Sequence, residues 1–194
     1  MNSLEKLNNF NILLASESIR RQEILSEIGL KFTIVKLSDN EESYPDDVVR
    51  ENIPIYIAKQ KSEKYKNLKF NDLLITADTI VWLEGEVLGK PKNYDEAFKM
   101  LKLLSGKEHF VFTGVCLKSI SKEITFYSES KVKFCEISDI DIKYYIENYN
   151  PYDKAGAYGI QEWIGKFAVE KIDGSFYNVV GLPINKLITE LKNF

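Results

Sequence analysis

Apolar positions along the chain recur with two periods, and the switches between them divide it into elements. Asn11–Ala15 (NILLA) is a short continuous apolar run that predicts a buried strand. Ser16–Ser18 then offers a cap for a helix to about Ile28, with Ile24, Leu25 and Ile28 on one face and Gly29 as its stop. Phe32–Leu37 predicts a second strand, and the acidic, proline-containing Asn40–Arg50 a loop. Pro54 opens a helix to about Asn67. Leu73–Ala77 (LLITA) predicts a buried strand ending in Asp78, while Val81–Leu83 and Val87–Leu88 flank Glu84-Gly85-Glu86 as a hairpin. Asn93 caps an amphipathic helix with Ala97, Met100, Leu101 and Leu104 on its apolar face, stopping at Gly106. Phe110–Leu117 and Ile124–Ile137 predict long strands about a Ser121-Lys122 turn, after which Ser138 caps Ile142–Tyr149. Phe167–Ile172 and Tyr177–Val180 pattern as a hairpin around Asp173-Gly174, and Pro183 starts the last helix. Helices and strands mix and antiparallel hairpins are prominent, which predicts an α/β or α+β fold on a mixed sheet.

Composition narrows the classes. The 194 residues suffice for one sizeable domain, or one domain with two lobes. A hydrophobic share of 44% with 28% charged residues is globular and argues against intrinsic disorder. The net charge of -3 provides no broad basic face, so neither nucleic acid nor a membrane surface is an expected partner. No apolar run approaches a membrane span, and MNSLEKLNNF lacks the basic and apolar segments of a secretory leader, so a cytoplasmic protein is expected. Cys116 and Cys135 are too few for a disulfide framework or zinc cluster and are predicted to be buried free thiols in strands. The single histidine, His109, excludes sites needing two imidazoles and has no serine motif near it. A metal would have to sit on oxygen ligands, which points to magnesium or manganese.

Candidate chemistry sits in a few segments. In LLASESIRRQEIL a strand runs through a serine-rich turn into a helix with Arg20 and Arg21 in its first turn. Exposed N–H groups, hydroxyls and the helix dipole favour an anion there, and guanidinium forks suit phosphate oxygens. A capped surface helix with solvated arginines fits the same pattern. Asp78, in Thr76-Ala77-Asp78-Thr79, stands at a strand end where α/β folds place ligands; it could hold a divalent cation, activate water, or simply terminate a strand. Leu88-Gly89-Lys90-Pro91 is not a Walker A motif, because Gly85 and Gly89 are one residue too close and Pro91 replaces the metal-binding hydroxyl residue, though Lys90 could still neutralise a phosphate. Glu41 and Glu42 lie in the acidic loop. Asp153–Gln161 (DKAGAYGIQ) has two glycines that would let backbone approach a ligand closely, and Gln161 could read a base edge.

Taken in order, LLASESIRRQEIL, AKQKS (Ala58–Ser62), ITADTIV, EVLGKP, KLLSG, DKAGAYGIQ and KIDGSFYNVVGLP (Lys171–Pro183) resemble the Maf proteins, a family of nucleoside triphosphate pyrophosphatases also described as septum-formation inhibitors. The resemblance runs from about Ile12 to the C-terminus. It implies a single domain with a mixed, strongly twisted sheet flanked by helices and two lobes around a deep cleft. It also implies a required divalent cation, a homodimer, and hydrolysis of a nucleoside triphosphate to the monophosphate and pyrophosphate. By position, Ser16, Arg20, Arg21 and Lys61 would contact the triphosphate and Lys90 would complete the cationic cradle. Asp78 would be the catalytic carboxylate or metal ligand with Glu41 as its acidic partner, and Thr79 and Gln161 match positions linked to base recognition. GIQ after AGAY resembles the branch acting on dTTP and UTP rather than the one acting on 7-methyl-GTP. A nucleotide-sensing regulator of division without catalysis is the alternative from another class; the Asp78 and Lys90 pair favours catalysis, since a pure binder has no need of the carboxylate.

Overall fold

The computed structural model describes residues 7, 9–37 and 42–194. In chain order these form β1 (Asn11–Leu14), α1 (Ile19–Glu27), β2 (Thr33–Ile34), α2 (Asn52–Lys64), β3 (Asp72–Leu83), β4 (Glu86–Leu88) and α3 (Tyr94–Leu104). There follow β5 (Glu108–Lys118), β6 (Glu123–Phe134), α4 (Asp139–Tyr149), α5 (Trp163–Ala168), β7 (Val169–Gly174), α6 (Phe176–Val180) and α7 (Ile184–Asn193). Among the described residues the strands make one seven-stranded sheet in the order β2-β1-β3-β5-β6-β7, with β4 paired to β3. β1 is parallel to both β2 and β3, whereas β3–β4 and β6–β7 are antiparallel, so the sheet is mixed as expected. No helix among the described residues is long and apolar enough to cross a membrane.

Contacts divide the chain into two compact units. One holds the described residues up to Asp78 together with Thr113–Ser128 and Gly181–Phe194; the other holds Thr79–Phe112 and Glu129–Val180. In the first unit, Leu13 of β1 pairs with Leu74 of β3, and both are buried with Ala15 against Val35, Leu37, Tyr65 and Leu68. α2 lies directly on this unit's part of β5. A Cβ on Gly114 would fall 2.3 Å from the carbonyl carbon of Pro54, so only glycine permits the approach. Thr76 of β3 donates its hydroxyl to the Ala58 carbonyl of α2 at 2.6 Å, which fixes the helix along the strand.

The second unit has its own core, in which Leu101, Leu104, Phe134, Ile142, Tyr145 and Ile164 are fully buried. Its turns follow local chemistry. Glu84 and Gly85 both take positive φ, 51° and 100°, the geometry of a tight two-residue hairpin turn. The Asn93 side chain accepts from the Glu96 N–H at 2.9 Å, and Ser138 from that of Asp141 at 3.2 Å, so both expected caps form. His109 is fully buried, with Nε2 2.8 Å from the Tyr158 hydroxyl and its ring edge-on to Phe134 and Tyr158.

Several elements depart from the pattern-based expectation. Phe32–Leu37 contributes only the two exposed residues of β2. β3 does not end in Asp78 but runs unbroken for 12 residues, placing Asp78 and Thr79 in mid-strand. The expected hairpin over 167–180 is instead the end of α5, then β7, then the helical α6. Tyr177–Val180 has strand-like composition, yet Asn178 donates its amide to the Val111 carbonyl and Ser130 Oγ, each at 3.0 Å, and those tertiary bonds override local propensity. Cys116 is a buried free thiol in β5, but Cys135 lies just past β6 and is half-buried.

Two outcomes follow from this packing. Gly114→Ala forces α2 off β5; overpacking of this kind costs about 1–3 kcal/mol, and differential scanning calorimetry should show the unfolding midpoint lowered by about 2–4 °C per kcal/mol. Burial pushes the His109 imidazole down to about 3 from its ordinary 6.5. The unfolded chain therefore binds a proton that the folded chain refuses, and stability falls as pH drops below 6.5. Urea titrations between about pH 6.5 and 5.5, where carboxylates are still largely ionised, should show this slope in the wild type and lose it in His109→Gln.

Candidate active site

The turn between β1 and α1 is organised by Ser16 rather than by the N-cap side chain. The Ser16 hydroxyl accepts from the Ser18 N–H at 3.3 Å, a local serine turn, and its carbonyl accepts from the Gln22 side chain at 3.1 Å. Ser18 makes no side-chain capping bond. Arg20 and Arg21 follow in the first helical turn, and the Arg21 guanidinium is gripped from three directions. Its Nε donates to the Gly181 carbonyl at 2.8 Å, and its Nη1 to the Ala77 carbonyl at 2.9 Å and to Ser16 Oγ at 3.3 Å. Burial lowers the Arg21 pKa, Asp78 and Glu42 raise it again, and adjacent Arg20 lowers it further. A guanidinium stays protonated under any such balance, so this is a fixed cation oriented by neutral carbonyls.

α2 and β3 bring the remaining charges together through their two periodicities. Thr76 and Asp78 share one face of β3 because strand side chains alternate, and Ala58 and Lys61 share one face of α2 because they are three residues apart. The Thr76–Ala58 bond therefore sets Asp78 opposite Lys61. Lys61 Nζ lies 2.9 Å from Asp78 Oδ1 and 2.7 Å from Glu42 Oε1. The Lys61 and Asp78 side chains are only 15% and 10% exposed, so this is a sheltered ion pair rather than a surface one. Glu42 is the acidic-loop residue seen at this cluster; Glu41, the expected partner, lies outside the described residues. Ser16, Arg21, Lys61, Asp78 and Glu42 thus form one constellation within the first unit.

The other expected site residues belong to the second unit. Thr79 follows Asp78 in β3 and is half-buried, while Lys90 is exposed just after β4. Gln161 is half-buried, and its side-chain Oε1 is buried without a hydrogen-bond partner. It ends a segment of two short 3-10 turns, Pro151–Asp153 and Ala155–Ala157. The two glycines there serve the protein's own packing. A Cβ on Gly156 (φ +67°) would lie 2.9 Å from Val81 Cγ2, and one on Gly159 would lie 2.8 Å from the Glu162 carboxyl carbon.

Sequence reasoning missed the carbonyls of Ala77 and Gly181, which hold Arg21; main-chain acceptors leave no residue-type signal. Among the described residues no three His, Cys, Asp or Glu side chains group as a cation site. Asp78 and Glu42 nevertheless face each other across one nitrogen. Two carboxylates, with phosphate oxygens and waters completing the shell, are the donor set that magnesium commonly takes, so the residues fit a divalent cation.

Known proteins resemble this chain at two levels. The solved structure of the Staphylococcus aureus Ham1 protein superimposes with a TM-score of 0.52 over 94% of this chain and 98% of that one, at 18% identity, a likeness of fold. The dTTP/UTP pyrophosphatase of Phocaeicola vulgatus is 53% identical over 190 residues, covering 97% of this chain and 98% of that protein. That of Parabacteroides distasonis is 52% identical over 192 residues, covering 98% of this chain and all of that protein. A profile of the family described as Maf-like protein matches residues 11–194, the stretch that carries the whole Arg21–Lys61–Asp78 constellation, and the chain belongs to that family.

Proposed function

We propose that this protein hydrolyses dTTP and UTP to the nucleoside monophosphate and pyrophosphate. The observation that carries this reading is Lys61, held 2.9 Å from Asp78 and 2.7 Å from Glu42 in the same unit as the fixed guanidinium of Arg21. Two cations and two carboxylates brought together, with Lys61 and Asp78 sheltered, suit a ligand that is itself highly anionic and arrives with a metal. Relatives about half identical over nearly their full length bear the name of this activity, which supports the same conclusion.

Arg20, Arg21 and Lys61 bind the triphosphate, with Ser16 contributing a hydroxyl and the start of α1 its dipole. Lys90 adds a further positive charge. Asp78 and Glu42 would hold the divalent cation, which when bound neutralises phosphate charge and makes water more acidic. Asp78 takes the proton from the attacking water, whose oxygen joins phosphorus as the bridge between the α- and β-phosphates breaks. Pyrophosphate leaves with the bridging oxygen. Such a transfer depends on positioning and electrostatics more than on a covalent nucleophile, which matches a chain whose one imidazole is buried elsewhere.

Gln161 reads the base. A carboxamide offers one acceptor beside one donor, and the imide of uracil or thymine offers the complementary N–H and carbonyl. The buried, unpartnered Oε1 of Gln161 is an acceptor that such an N–H would satisfy. Cytosine has no N–H at that ring position.

Asp78→Asn keeps the shape but abolishes the base and the anionic ligand. Release of pyrophosphate from dTTP and UTP should fall by about 10²–10⁴-fold while nucleotide binding persists, as measured by calorimetry; full activity in the variant would remove Asp78 from the mechanism. Chelation of divalent ions should stop turnover, and magnesium or manganese should restore it. In Glu42→Gln the metal concentration giving half-maximal rate should rise, and an unchanged metal titration would remove Glu42 from the cation site.

A further inference from the structure

Lys154 is a buried lysine outside the constellation just described. It is 7% exposed, and its Nζ lies 2.7 Å from Asp153 Oδ1 and 3.2 Å from Glu162 Oε1. Asp153 is largely solvated, with a side chain 60% exposed, so the sheltered partner is Glu162 at 20%. The other oxygen of Glu162 accepts a short hydrogen bond from the hydroxyl of fully buried Tyr145. Tyr145 in turn accepts from the Gly159 N–H at 3.0 Å, and the Glu162 N–H donates to the Gly159 carbonyl at 3.0 Å. Burial, reinforced by the Glu162 carboxylate, raises the Tyr145 pKa, so the phenol remains a donor.

These bonds close a loop around two residues, Ile160 and Gln161. Ile160 is anchored in the core, and a Cβ on Gly165 would lie 1.7 Å from its carbonyl oxygen. Gln161 is then the one residue of the braced stretch whose side chain presents an unpartnered buried atom, Oε1. Unsatisfied buried acceptors are rare, and one held on a doubly braced backbone is poised for a ligand donor. We propose that Lys154, Glu162 and Tyr145 are positioning residues that fix Gln161 and so set the selectivity for uracil and thymine. The proposal rests on the reading of Gln161 given above.

Its logic is electrostatic. Lys154 pairs with the Glu162 carboxylate in a sheltered place, and that carboxylate holds Tyr145 against Gly159. Removing the ammonium alone leaves an uncompensated carboxylate and loosens the brace. Replacing Glu162 by glutamine as well removes both charges, and the carboxamide oxygen introduced there still accepts from Tyr145.

The test is steady-state kinetics on UTP, dTTP and CTP with Lys154→Met, the double variant Lys154→Met/Glu162→Gln, and Tyr145→Phe, which keeps the ring and deletes only the hydroxyl. Lys154→Met should raise KM for UTP and dTTP about tenfold with kcat within about threefold, and should lower the UTP-to-CTP ratio of kcat/KM about tenfold. The double variant should recover most of that selectivity, and Tyr145→Phe should lose a smaller part of it. If the melting temperature drops in these variants while selectivity and KM stay at wild-type values, the three residues are structural only and the proposal is overturned. If Lys154→Met does not fold, an unchanged selectivity in Tyr145→Phe overturns it equally. A wild type inactive on every nucleotide refutes the pyrophosphatase reading and this inference together. An active wild type whose selectivity ignores Gln161→Ala refutes the base-reading role alone and, with it, the brace.

Discussion

The pairing of Lys61 with Asp78 is the contact on which the first unit's chemistry depends. A carboxylate in the middle of a buried strand is costly to desolvate, and β3 carries one in a stretch whose other residues are almost all buried. Lys61 removes that cost only because α2 lies along β3 in one register, set by the Thr76 hydroxyl on the Ala58 carbonyl and by the bare backbone of Gly114 beneath Pro54. Shift the helix by one residue and the ammonium turns about 100° away. The strand would then hold an unpaired charge.

Arg21 solves the opposite problem. A guanidinium at the start of a helix opposes the helix dipole, so its place there has to be secured by other bonds. The carbonyls of Ala77 and Gly181 accept from it without carrying a charge that would cancel its own. These neutral acceptors orient the cation in advance, which under the proposed function spares the triphosphate the entropy of ordering it. Asp78 contributes twice, raising the pKa of Arg21 through space and anchoring Lys61 by contact.

How much of this can be read from the sequence follows from the range of the interactions involved. The caps of α3 and α4 and the Glu84-Gly85 turn are set by residues within four positions of one another, and they stand where the pattern puts them. The apolar pattern splits β3 because Asp78 and Thr79 interrupt it, and the residue that tolerates the interruption, Lys61, is 17 positions away. α6 reads as a strand for the same reason, since the acceptors of Asn178 are 67 and 48 positions off. The cationic residues and Asp78 are legible as residue types in a resembling order, and the structure adds which of them touch. Glu42 is legible only as one of two neighbouring acids, because a charge run in a loop has no periodicity to orient it.

The same device occurs twice in the molecule with different ranges. Lys61 and Lys154 are both sheltered lysines, 15% and 8% exposed at the side chain, and each is bracketed by two carboxylates. The acids around Lys61 come from positions 42 and 78, so the bracket draws distant parts of the chain together, and with Arg21 nearby two cations meet two carboxylates. Under the proposed function, a divalent cation entering with its polyanion would find carboxylate oxygens there. The acids around Lys154 come from positions 153 and 162, so its bracket closes within a single loop, and the Tyr145 hydroxyl occupies the spare oxygen of Glu162. With that oxygen taken, little remains to coordinate a cation, and the second bracket stiffens backbone instead. Identical pair chemistry thus gathers charge in one unit and immobilises a side chain in the other, and the difference lies in how far apart along the chain the acids start.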